Sequence, residues 1–184
     1  MNEKLKSYII KIAKKAIENY VKYKKIISVP ADCPEELKQK RGVFVTIYKN
    51  HELRGCTGVP FPIKSLIESL IEAAVNATED PRFLPLTENE LKNIKIEVSI
   101  LTEPKKVEGK DYKEKIENIK EFKHGVIIKR GLKSALFLPQ IWNQLHNKDL
   151  FLSHLCLKAG LSADDWKKDD TEFYIFEAEV VEES

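Results

Sequence analysis

The chain has 184 residues, 42% of them hydrophobic and 33% charged, with a formal net charge of +2. This composition excludes an intrinsically disordered polypeptide, and the length allows one domain that buries roughly two-thirds of its unfolded surface without staples. The small net charge excludes a nucleic-acid polycation, although residues 1–25 carry eight lysines against Glu3 and Glu18.

Leu5, Ile9, Ile12, Ala13, Ala16, Ile17 and Tyr20 recur at helical spacing and predict a first helix over residues 2–24, with its lysines as a solvated coat. A phosphate-binding face is the alternative for those lysines. The apolar patch SYIIKIA is broken by lysines and is followed by neither a cleavage pattern nor a long apolar span, so no membrane segment is expected. Pro30 and Pro34 make SVPADCPEEL a loop.

GVFVTIYKNHELRGCTG then reads as a β-hairpin turning at Lys49–Glu52, with Val43, Val45 and Ile47 on one face and Arg54 and Cys56 sharing another. Pro62 fits the first turn of a helix running to about Ala77, and Thr87–Glu90 has the capping-box form that opens a short helix. IKIEVSIL alternates as a strand with a polar face, which suggests a sheet covered mainly on one side. After a charged segment, 105–124, a second hairpin joins Val126–Ile128 to Ala135–Leu138, and helical sequence follows Pro139. Gly160 suits a helix C-cap, and TEFYIFEAEVV reads as one closing strand.

Residues 42–101 and 125–180 therefore repeat one order: strand, hairpin, strand, proline, helix, strand. The fold class expected is α+β, with antiparallel sheets built from two β-β-α-β-like repeats flanked by helices. The whole chain, 1–184, is read as one domain with two lobes at about 1–104 and 105–184.

GCTGVPFPIKS resembles a phosphate loop only superficially. Ile63 stands where glycine must precede the lysine, and Pro60 and Pro62 remove backbone donors. The three cysteines and four histidines show no CxxC or HExxH spacing, and His154 and Cys156 project about 200° apart on a helix, so no metal or other cofactor is expected. Cys156 belongs to an apolar stripe, while His146 and His154 read as surface or interface residues. Odd, scattered cysteines fit a reducing cytoplasm better than a disulfide scaffold.

Three readings of Cys56 stay open: a reactive thiol, part of a binding surface, or a small residue in a tight place. As a nucleophile it would use Arg54 to favour the thiolate and His124 as base. As a binding cleft the set is Arg54, Gly55, Cys56, Thr57, Gly58, Asp80, Arg82 and His124. Asp80 and Arg82, in EDPRF, suit a turn closed by an ion pair, and Arg130 before Gly131 reads likewise.

The strings LRGCTG, EDPRF, TENEL, IEVSIL, HGVIIKRG, LFLPQ, CLKAGL and YIFEAEV, in this order, resemble the AMMECR domain family, named for the Alport syndrome, midface hypoplasia and elliptocytosis chromosomal region. The resemblance covers about residues 40–184, with the family's six-residue signature on Leu53 to Gly58. It implies an α+β fold with a duplicated strand-rich unit and a family of no firmly assigned activity. A regulatory role in gene expression is implied, as is a modification system with Memo-type and radical-SAM partner proteins. Between LFLPQ and CLKAGL this chain has IWNQLHNKDLFLSHL, poorer in acids than the family's usual spacer, so any partner surface there differs. The expectation is a cytoplasmic binding or regulatory protein whose LRGCTG cleft meets a macromolecule, protein or RNA. A thiol-dependent enzyme is the alternative, and nucleic-acid binding by the basic first helix the third.

Overall fold

A computed structural model describes residues 1–183. The chain forms two compact units, residues 1–103 with 179–183, and Pro104–Ala178. Both are antiparallel α+β assemblies, with a four-stranded sheet in each.

In the first unit, α1 (Glu3–Tyr23) starts where the Asn2 side chain accepts the Leu5 N–H at 2.8 Å and ends at Lys24, whose left-handed backbone donates to the Tyr20 carbonyl. Its predicted stripe is the buried face, with Ile9, Ala13, Ala16 and Ile17 fully inaccessible. Each such isoleucine contributes roughly 1.5–3 kcal/mol by leaving water. Strands β1 (Gly42–Lys49) and β2 (Glu52–Val59) form the predicted hairpin. Its two turn residues, Asn50 and His51, both have positive φ, 51° and 66°, the geometry that matches the twist of a two-residue hairpin.

Helix α2 (Leu66–Ala77) begins later than Pro62. The Ser65 hydroxyl and the Glu68 carboxylate form a reciprocal capping box, which fixes the start more strongly than a proline can. α2 lies between α1 and the β1–β2 hairpin and buries residues on nearly every side. The capping box of Thr87 and Glu90 opens a 3₁₀ turn, Glu88–Lys92, and β3 (Ile94–Leu101) pairs with β1. Lys95 on the polar face of β3 is exposed, whereas Ser99 is buried, as is Thr46 of β1 opposite Glu97, so that face is open mainly toward Lys95.

In the second unit the charged segment contains two elements not read from sequence, β4 (Lys105–Lys106) and the short α3 (Tyr112–Glu117) capped by Asp111. The hairpin β5 (Gly125–Arg130) and β6 (Lys133–Phe137) is followed by a 3₁₀ turn, Pro139–Asn143, and α4 (Lys148–Lys158). Val126, Ile128 and Phe173 from the sheet meet Phe151, Leu152, Leu155 and Cys156 from α4, and the Trp142 and Phe151 rings stack 3.7 Å apart. After Gly160 the chain folds back, with Leu161 N–H donating to the Cys156 carbonyl at 2.9 Å.

The closing strand is two strands. β7 (Glu172–Phe176) pairs with β5 in the second sheet, and β8 (Ala178–Glu182) joins β3 in the first, with the break at Glu177. The strand orders β2-β1-β3-β8 and β4-β7-β5-β6 contain the repeat directly: β2-β1-β3 corresponds to β6-β5-β7, each with a helix before its third strand.

Candidate functional site

The signature residues lie on β2, an edge strand, and are held by the segment that follows α2. Gly55 faces α2 so closely that a Cβ there would stand 2.1 Å from the Ala77 carbonyl oxygen, which makes glycine the residue that permits this approach. Thr57, one pleat repeat further along the same face, donates from Oγ1 to the Ala73 carbonyl at 2.9 Å. Gly58 is equally confined, against Val43 and Phe44 of β1.

Edge strands present unpaired backbone groups. Here the Cys56 N–H is taken by Asp80 Oδ2 at 2.9 Å. The same carboxylate accepts the Arg82 backbone N–H, Arg82 Nε at 3.0 Å and Arg82 Nη2 at 2.6 Å. These bonds, led by the guanidinium, lower the Asp80 pKa to about 2 although burial opposes the charge. Asp80 is only 3% exposed, and it is these hydrogen bonds that keep it ionised there.

Arg54 does not share a face with Cys56. The register shifts between Ile47 and Tyr48, which face Gly55 and Leu53, so Arg54 is the extra residue of a β-bulge. The bulge turns its guanidinium to Glu90, with Nε and Nη2 each 3.0 Å from a carboxylate oxygen, while Lys49 Nζ joins at 2.8 Å. Glu90 also closes its own cap on Thr87, and the Arg54 contact with all these bonds keeps its carboxyl well below the usual range. The Cys56 thiol instead accepts the Thr46 hydroxyl at 3.3 Å. Phe83 lies near both Arg54 and Arg82, 6.0 and 5.6 Å from ring centroid to guanidinium carbon.

Arg54, Gly55, Cys56, Thr57, Gly58, Asp80 and Arg82 thus belong to one neighbourhood of the first unit. His124 belongs to the second unit, buried at the start of β5. Its Nδ1 accepts the Lys120 N–H at 3.0 Å and its carbonyl accepts the Trp142 indole at 2.7 Å. With Nδ1 accepting, the neutral ring carries its proton on Nε2. Burial lowers the His124 pKa.

Glu90 was legible only as a cap, because its partner Arg54 is 36 residues away. The one available signal was that LRGCTG places an arginine beside a buried strand with no acid of its own. Arg130 pairs with Asp170 and Asp165 in the second unit. Several lysines of α1 and its C-cap are ion-paired, Lys6 with Glu3, Lys14 with Glu183 and the cap residue Lys24 with Glu79. Among the described residues, no group of three or more His, Cys, Asp or Glu could hold a metal ion, and no helix is long and apolar enough to cross a membrane.

The fold and the fastened LRGCTG edge define a two-sheet α+β protein class with an internal β-β-α-β duplication. The family model described as AMMECR1 matches residues 10–181, and the chain belongs to this family. Protein MK0488 of Methanopyrus kandleri is 47% identical over 100% of this chain and 92% of the relative. Protein MJ0810 of Methanocaldococcus jannaschii is 43% identical, covering 96% of this chain and 89% of the relative. The crystal structure of the uncharacterised protein PH0010 from Pyrococcus horikoshii superposes with a TM-score of 0.95 at 39% identity, over 100% of this chain and 94% of that one. The family is one of uncharacterised proteins with no assigned activity.

Proposed function

We propose that this chain is a binding protein rather than a thiol enzyme, and that the segment Asp80–Pro85 is its recognition surface. The observation that carries this reading is the closed fork between Arg54 and Glu90, which commits the guanidinium a nucleophilic Cys56 would need. The ring nitrogen that His124 would use as a base at Nδ1 is likewise engaged.

The recognition segment combines rigidity with exposure. Pro81 and Pro85 restrict it, Phe83 N–H donates to the Asp80 carbonyl, Leu86 N–H donates to Thr78, and Arg54 Nη2 reaches the Pro85 carbonyl at 3.4 Å. Leu84, at its tip, is 84% exposed, and the Arg82 side chain is 53% exposed. A fixed backbone presenting an apolar side chain lowers the ordering cost of docking a protein partner. A regulatory role in the cytoplasm accords with three cysteines that are all thiols. Memo-type and radical-SAM proteins are the partners to test first.

Alkylation of the native protein across pH separates the readings. Cys56 is expected to react slowly at pH 7, with Cys156 as the internal control, since burial pushes that thiol up to about 11. Fast reaction with an apparent pKa well below about 8.5 overturns the proposal. Sedimentation with purified partner, using wild type and Leu84→Asp, reads the binding directly.

A further inference from the structure

We propose that the open edge of the Arg82 guanidinium takes an acidic side chain of a protein partner, a carboxylate flanked by apolar residues. The inference rests on the reading of Asp80–Pro85 as a recognition surface and names the chemistry that this surface accepts.

Arg82 is fastened along one edge only. Its Nε and Nη2 donate to the two Asp80 carboxylate oxygens at 3.0 and 2.6 Å, and Nη1 bonds to none of the described residues. A guanidinium carries donors on all three nitrogens in one plane, so engaging the Nε side leaves the Nη1–Nη2 edge, which matches a second carboxylate. Asp80 is buried while the Arg82 side chain is 53% exposed, so the bonded edge is the inner one. The Asp80 carboxylate also accepts the Arg82 backbone N–H at 3.0 Å, which ties the guanidinium to its own loop. A long side chain held in place before the partner arrives loses less freedom on docking than a free arginine does.

Charge around the segment favours one negative group on the partner. Lys49 and Arg54 share the single Glu90 carboxylate, at 2.8 and 3.0 Å, which leaves one positive charge beyond what Glu90 neutralises. Arg54, like Arg82, lies near the Phe83 ring. Its Nη1 also bonds to none of the described residues and is not among their sealed-off polar atoms, so solvent reaches it. The nearby acids are engaged elsewhere: Glu79 pairs with Lys24, and Glu88 lines a separate cleft with Lys14 and Lys22. One surplus charge matches a carboxylate better than a phosphate group, which carries nearly two negative charges at neutral pH. Leu84, two residues beyond Arg82, is 84% exposed. Its contact with an apolar neighbour of the carboxylate would keep water from the ion pair and raise it above the worth of an open surface pair.

NMR titration of the full ¹⁵N-labelled chain with the peptide acetyl-Gly-Leu-Glu-Leu-Gly-amide tests this, beside counterparts with glutamine or phosphoserine in place of the glutamate. Saturable shifts are expected at the Arg82, Phe83 and Leu84 amides and at the Arg82 Nε–H. The glutamine peptide should bind about tenfold more weakly, and the phosphoserine peptide no more tightly, than the glutamate peptide. Arg82→Gln is expected to weaken the glutamate peptide about tenfold and leave the glutamine peptide unchanged, while the comparison of peptides on wild type requires no variant to fold. The inference is overturned if the glutamate and glutamine peptides bind alike, if the phosphoserine peptide binds more tightly, or if no peptide gives saturable shifts. Sedimentation with a purified Memo-type protein separates this failure from that of the recognition segment. Binding lost in Leu84→Asp but kept in Arg82→Gln removes the carboxylate and leaves the segment standing, whereas binding kept in both variants overturns the segment and the inference with it.

Discussion

In the first sheet the outer hairpin strand is fastened by acidic side chains arriving from beyond α2: Asp80 takes the Cys56 N–H and Glu90 takes Arg54 from the bulge. In the second sheet the corresponding strand, β6, is met by Lys158, whose Nζ reaches the Leu136 carbonyl at 2.7 Å, and the hairpin arginine, Arg130, pairs with the exposed Asp170. The topologies correspond, yet a buried carboxylate on a backbone N–H resists water and salt in a way that a lysine on a long stem does not. Duplication therefore supplied the frame, while the signature sequence belongs to the more firmly locked of these two corresponding edges.

The glycines break this comparison most severely. Gly55→Ala drives a methyl group against the Ala77 carbonyl, backbone that cannot step aside, and is expected to cost more than about 3 kcal/mol in urea unfolding. Gly131→Ala, in the β5–β6 turn, meets nothing within 4 Å and suffers only its φ of 60°, about 1 kcal/mol. Equal costs at the two positions would mean that the α2 approach is not the constraint described.

The arginines come next. Arg54 and Glu90 have side chains only 16% and 13% exposed, so Arg54→Ala leaves a carboxylate buried among Lys49 and Thr87, and about 3 kcal/mol is expected. Arg130→Ala is expected to unfold at nearly the wild-type denaturant midpoint, because Asp170 returns to solvent when its partner leaves and the buried Asp165, 3.6 Å from Arg130, keeps its ion pair with Lys168 at 2.8 Å. Denaturation midpoints measured side by side decide whether the two hairpin arginines differ as their burial requires.

Much of this architecture was written in periodicity. The α1 stripe, the alternation of Val43, Val45 and Ile47, and the apolar face of α4 each state locally which side goes inward, and α+β with paired hairpins follows from them. The split at Glu177 was not legible, because both halves of TEFYIFEAEVV alternate correctly and no glycine or proline marks the change of sheet. Nor was the bulge. It moves Arg54 off the face of Cys56 by adding one residue, and the partner it meets there, Glu90, is distant in sequence. The helix start at Ser65 was readable in S-x-x-E, but the prolines before it drew the boundary too early.

Acid sharpens the comparison with the smallest expected effect. Asp80 titrates at 3.8 when unperturbed and at about 2 in the folded protein, held down by Arg82 and by the N–H groups of Cys56 and Arg82. Because the folded pKa is depressed, the stabilisation is fully present above the unfolded value and is lost as pH falls from 3.8 through 2. Its size is roughly 1–2 kcal/mol after discounting for the half-exposed Arg82. Asp80→Asn removes this term, so the stability difference between wild type and Asp80→Asn should shrink across that window and be constant above pH 5. Asp165 in the second unit is also lowered, chiefly by Lys168, but it accepts the Ser162 N–H instead of a strand N–H. Asp165→Asn should consequently leave the exchange of β6 amides unchanged in acid. Amide exchange at Cys56 should accelerate below pH 4 in wild type, after correction for intrinsic exchange, because protonating Asp80 unfastens the edge strand it covers.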